Sequence, residues 1–145
     1  MPSDRTFIER NHASTERIRT LAERLSDEQL LLPAGEHWTA AVALVHLAFW
    51  DMRTLDLLNN TEREGKLSAP DVDVSVNDFA LPLWKAVLPR KAIQLAIESA
   101  EALDNKLEGF PPALLEEVRA ARERWVDRSL HRNEHLDEID AALKS

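Results

Sequence analysis

The rarest residue in the chain says most about its fold. Glycine occurs three times in 145 residues, at Gly35, Gly65 and Gly109, and Pro33, Pro70, Pro111 and Pro112 fall close to the same places. Between these breakers lie long stretches rich in Ala, Leu, Glu and Arg, residues that favour helices. The first is expected to be helical from about Asp4 to Leu25, with Ser3 as its N-cap. Its apolar stripe is Phe7, Ile8, Ile18, Leu21, Ala22 and Leu25, and Asn11, Ser14 and Thr15 interrupt it on its own face. Polar groups placed there either meet partners or line a cavity.

Ser26-Asp-Glu-Gln reads as a capped turn, and Leu30–Gly35 as a connector. Thr39 is expected to cap a second helix, about Ala40–Asn60, which begins apolar almost all round and is therefore buried on most sides. Asn59–Ser75 reads as a long polar connector, either a pocket lid or simply a mobile segment. Ser75 then caps a short helix, Val76–Val87, kinked or broken around Pro82. Pro89 opens a third long helix that runs to about Leu107, and Gly109 ends it. The last helix begins near Ala113, either directly or after a separate first turn, and reaches Lys144, with the apolar stripe Leu114, Val118, Ala121, Trp125, Leu136, Ile139 and Leu143. Its stretch from Glu123 onward, free of Pro and Gly, reads as one continuous helix. The expectation is an all-α four-helix bundle in one domain, residues 1–145, with a short extra helix in the long second connector.

Lys+Arg 18 against Asp+Glu 26 gives a net charge of -8, which argues against nucleic-acid or anionic-membrane partners. No apolar run is long enough to span a bilayer, and the opening Met-Pro-Ser-Asp-Arg lacks the apolar core of a signal peptide. A cytoplasmic location is expected. There is no cysteine, so any thiol chemistry must use an external thiol.

Chemistry concentrates in His131-Arg-Asn-Glu-His135. Residues four apart share a helix face, so these two imidazoles can point at one metal ion, but a pair supplies too few ligands. Arg128 shares their face. His46 sits on the buried second helix, where a lone histidine is more often a core residue. Its helical neighbours Val42, Trp50 and Arg53 include a cation, which hints at a wet pocket. Trp50 itself reads as core. Glu9 and His12 match half of a di-iron motif and read as a surface pair. His131-x-x-Glu134-His135 also matches an inverted zinc-peptidase motif, with Glu134 as base.

The order HWTAAVALVHLAFWD, then VDVSVNDFALPLW, then RSLHRNEHLDEI resembles the DinB-like superfamily of four-helix bundles over essentially the whole chain. The closer resemblance is to the branch holding the N-terminal domain of mycothiol-dependent maleylpyruvate isomerase. It implies a divalent metal on His46, His131 and His135, with zinc favoured over nickel or ferrous iron. It also implies a low-molecular-weight thiol of the mycothiol or bacillithiol class, attacking an electrophilic small molecule, and a homodimer. In this frame Arg53, Asn77 and Arg128 are candidates to hold thiol or substrate. Asp127 and Glu138 are candidates to accept the second ring N–H of a ligand. The isomerase's second domain is missing from these residues, so a thiol S-transferase is expected rather than the isomerisation itself. The alternative is a non-catalytic metal- or small-molecule-binding stress-response bundle. Imidazoles must be neutral to bind metal, so affinity is expected to fall below about pH 6.

Overall fold

The computed structural model describes residues 5–35, 38–71 and 73–144. Seven α-helices occur among them: α1 (Thr6–Arg24), α2 (Asp27–Leu30), α3 (Ala40–Glu64), α4 (Val76–Lys85), α5 (Pro89–Glu108), α6 (Pro112–Ala121) and α7 (Ser129–Lys144). A two-stranded ladder, β1 (Pro33–Ala34) against β2 (Trp38–Thr39), pairs Ala34 with Trp38. The chain is the all-α bundle that its breaker pattern predicts. The expected Ser3 cap and Asp4 start lie outside the described residues.

Local rules account for most boundaries. Ser26 and Gln29 form a reciprocal capping box on α2. The Thr39 side chain accepts the Val42 N–H and caps α3. Pro89 occupies the first turn of α5. Three boundaries differ from expectation. α3 runs on to Glu64, past Asn60, and stops where Gly65 takes a left-handed conformation with φ 71°. The connector is therefore shorter than expected. Ser75 does not cap α4; its N–H and hydroxyl both bond the Asp73 carboxylate instead. Pro82 lies inside α4 without breaking it, because it sits on the exposed side, where the carbonyl it leaves free can meet water.

The largest difference is in the last helix, which is not continuous. A 3₁₀ turn, Glu123–Trp125, and an irregular segment separate α6 from α7. Buried Asn11 of α1 holds the break open. Its Oδ1 accepts the N–H groups of Arg128 (2.8 Å) and Ser129 (3.1 Å), and its amide donates to the Val126 carbonyl (2.9 Å). One side chain from a distant helix thus caps α7 and satisfies the carbonyl left free before it.

α1 packs on α5 and α7, and α3 packs on the same two, so α1 and α3 lie across the diagonal of the bundle. The interior has two apolar clusters. One gathers Ile18, Leu21, Leu44, Leu47, Ala96 and Leu136; the other gathers Phe7, Leu57, Leu58, Leu103, Leu107 and Val118. On α3, Asp51 falls between the two clusters. Arg132, fully buried, spans this layer. Its Nε donates to Asp51 Oδ2 (3.0 Å), and one Nη donates to Asp104 Oδ1 (2.9 Å), Ser14 Oγ (3.1 Å) and Thr15 Oγ1 (3.2 Å). Arg128 Nε donates to Asp51 Oδ1 (2.9 Å). Asn11, Ser14 and Thr15 thus meet partners, one of the two alternatives their placement allowed. Removing one member strands a buried opposite charge, which costs about 3–5 kcal/mol. Asp104→Ala is expected to lower stability by that amount in urea unfolding. Glu98→Ala, an exposed acid on the same helix, is expected to change it by less than about 0.5 kcal/mol.

Candidate metal centre

α3 contributes His46 and α7 contributes His131 and His135, and one ring nitrogen from each lies within 4.8 Å of the others. Nε2 of His46 and Nε2 of His131 are 3.1 Å apart. Two imidazole nitrogens that shared one ion at metal–nitrogen distances of about 2.0–2.1 Å would stand about this far apart, so the pair fits a divalent ion. The rings are held by aromatic packing. Trp38, fixed by the β1–β2 ladder, lies 4.5 Å from His46 and 5.5 Å from His135 between centroids, and Trp84 lies 5.4 Å from His46. Three neutral imidazoles with room beside them suit a divalent ion that keeps an open position.

Arg128 Nη2 lies 3.3 Å from His131 Nδ1, and because a guanidinium only donates, it favours that nitrogen as an acceptor. Nε2 of His131 and Nε2 of His46 face one another and would be the atoms offered to an ion. Nδ1 of His46 and of His135 are buried without a hydrogen bond. Nδ1 of His135 faces Glu138 Oε1 at 3.7 Å, close enough for a small shift to close the bond. Gly35 makes room for this acid. Its φ is 76°, and a Cβ there would collide with the Glu138 carboxylate.

Burial, then the charges of His135 and Arg128, pushes His46 down from 6.5 to about 3. His131 is lowered by burial and by Arg128, and His135 by burial against the opposing pull of Glu138. With all three imidazole pKa values lowered, the loss of metal is expected at a more acidic pH than the pH 6 that ordinary imidazoles would give.

The rings open on a cavity of about 260 Å³ whose wall includes Trp38, Trp50, Thr54, Val74, Asn77, Arg122, Arg124, Trp125, Arg128 and Glu134. Arg128 and Asn77 therefore stand at the site. Asn77 Oδ1 accepts from Trp50 Nε1 (2.8 Å), so Trp50 is pocket wall rather than core. Arg53 does not reach the histidines. It is exposed and lines a separate small cavity with Pro70 and Asp71, because it lies two turns, roughly 10 Å, further along α3 than His46. Asp127 does not brace His131. The break before α7 turns it towards Arg10 (2.9 Å) and the Ser129 hydroxyl. Glu134 is paired with Arg124, and that hydrogen bond lowers its pKa, which makes it a poor base. His12, half-exposed, lies 3.6 Å from Glu108 on the surface, apart from the metal cluster.

Sequence reasoning missed Arg122 and Arg124, which only the break brings to the pocket. It also missed Arg132, Asp51 and Asp104. These three did carry a signal, since each falls on the core register of its helix, Arg132 one turn before Leu136, Asp51 one turn after Leu47 and Asp104 one turn after Ala100.

A folded-state pKa below the unfolded value means that the unfolded chain binds the proton first. The contribution of His46 is intact above pH 6.5 and is lost as pH falls towards about 3. His46→Gln is expected to flatten the stability profile measured by urea unfolding across that window. Zinc affinity, measured by competition with a chelator, is expected to fall less than about tenfold from pH 7 to 5.5. Three imidazoles at their ordinary pKa would lose roughly 500-fold.

The sequence profile of one family, described as the DinB superfamily, matches residues 10–142. No curated protein and no solved structure matches the chain.

Proposed function

The chain belongs to the DinB superfamily, and from that premise we propose that it is a metal-dependent thiol S-transferase. One observation carries the reading: three neutral imidazoles converge at the wall of a small cavity that also presents arginines. The resemblance to the mycothiol-dependent branch supplies the choice of nucleophile. Zinc is the favoured ion, with nickel and ferrous iron as the other candidates suited to imidazole.

A bound divalent ion supplies a Lewis-acidic position at which a thiol loses its proton at neutral pH. His46, His131 and His135 hold that position. Trp38 and Trp84 fix the rings and keep water from their outer faces. The guanidinium of Arg128 adds positive potential, which favours thiolate over thiol. Asn77 presents an amide to whatever the cavity holds. In the transfer, sulfur bonds to an electrophilic carbon, the thiol proton passes to solvent, and the displaced electron pair leaves with the departing group or is protonated. The thiol and the electrophile are the expected partners. A second copy of the chain and a cytoplasmic setting belong to the same proposal. No helix among the described residues is long and apolar enough to cross a membrane.

A second reading, a non-catalytic metal-binding bundle, has one observation in its favour. His131 is backed by the donor Arg128 and not by the carboxylate that usually braces a ligating imidazole.

Elemental analysis of the untagged protein beside His46→Ala and His131→Ala tests the site. The wild type is expected to hold near-stoichiometric metal, and each variant less than about a tenth of it, with helical circular dichroism unchanged. Consumption of 1-chloro-2,4-dinitrobenzene with mycothiol, bacillithiol or glutathione tests the reaction. Turnover is expected only with metal bound and is expected to fall at least about 100-fold in His131→Ala. Bound metal with no turnover by any of these thiols would establish the second reading.

A further inference from the structure

The cavity beside the histidines holds a charge for which the metal site has no use. Its wall contains Arg122, Arg124 and Arg128 but only one acid, Glu134. Two of these cations are already answered. Arg128 is buried against Asp51, and Arg124 is paired with Glu134. Arg122 is exposed, and among the described residues its side chain makes no hydrogen bond or ion pair, its bonds being those of its backbone to Val118 and Trp125. It stands at the break after α6, in extended conformation with φ −163° and ψ 112°, and the same break brings Arg124 and Trp125 to the cavity wall. In a chain of net charge -8, a solvent-facing guanidinium with no carboxylate partner, at the mouth of a cavity, is left available to a visiting anion.

The chemistry of that anion can be narrowed. One free guanidinium matches a single negative charge, and its planar fork fits a carboxylate. Arg124 already shows the match, since its partner in this pocket is the Glu134 carboxylate. A cavity of about 260 Å³ lies below the ~300–1,000 Å³ of usual ligand pockets, so the molecule is small. Trp38, Trp50 and Trp125 give it an apolar body to rest against. Resting on the thiol-transfer reading, we propose that Arg122 is the carboxylate-binding end of this pocket, and that the electrophile is a small apolar molecule bearing one carboxylate. The metal holds the thiol, and Arg122 holds the acceptor by a group remote from the reacting carbon.

Benzoate and benzamide have nearly the same shape and differ in charge. Their binding can be read from tryptophan fluorescence of the full chain, both zinc-loaded and metal-free. Benzoate is expected to bind at least about tenfold tighter than benzamide in both forms. Arg122→Ala is expected to reduce that preference to under about twofold, and Arg122→Lys to retain part of it because the charge remains. Equal binding of the two probes would overturn the subsite, and so would a preference untouched in Arg122→Ala. A benzoate preference seen only with zinc bound would also overturn it, because the carboxylate would then be sitting on the metal. The metal-free form separates the two proposals. An Arg122-dependent preference without thiol-dependent turnover would sink the transfer reading alone, and turnover without the preference would sink the subsite alone.

Discussion

Two arginines and two aspartates meet inside the bundle, and every long helix has a part in holding them. Asp51 of α3 bridges Arg132 and Arg128, and Asp104 of α5 takes the other side of Arg132. Ser14 and Thr15 of α1 satisfy what remains. The formal charges cancel, and nearly all the donors have partners, which is the condition under which buried charge is tolerated. Such a network adds little net stability compared with a well-packed apolar layer. What it does is penalise misalignment, because any slip of one helix leaves a charge buried alone. The two apolar clusters on either side lack that selectivity, being built of Leu, Ala, Val and Phe that could pack in several registers.

The same network reaches the candidate metal centre through one residue. Arg128 is held by Asp51 at its Nε and touches His131 with Nη2. The orientation of the His131 ring, and hence of its pair with His46, depends on an aspartate one turn beyond Leu47. From the other side, Trp38 presses on His46 and His135 because a two-residue ladder fixes its backbone. The site is therefore assembled between a charged layer and an aromatic wall. Burial by both keeps the imidazoles neutral and available as ligands.

Charge is also sorted in space. The chain is acidic overall, yet the cavity next to the histidines collects arginines. That separation favours small anions at the site while leaving the outer surface negative. It arises because α6 and α7 are not one helix. Had the chain continued without the break, Arg122, Arg124 and Trp125 would have followed the helical spiral, and Asn11 would have had no free amides to cap.

The number of long helices, the Thr39 cap of α3, the Pro89 start of α5 and the shared face of His131 and His135 follow from local rules: helical periodicity, capping side chains and the placement of Pro and Gly. These act within a few residues, so one chain read in order displays them. The meeting of His46 with the pair was legible only by resemblance, since 85 residues separate it from His131. The break before α7 had no local sign at all, with neither Gly nor Pro in Glu123–Lys144. It exists because Asn11, 115 residues away from Val126, offers hydrogen bonds that outweigh those of a continuous helix. Asp127 was assigned to the wrong partner, and Arg122 and Arg124 were overlooked, for the same reason. Sequence alone settles what a segment can form by itself. Which buried polar group finds which partner, and therefore where a helix stops and which charges line the pocket, is decided by tertiary packing.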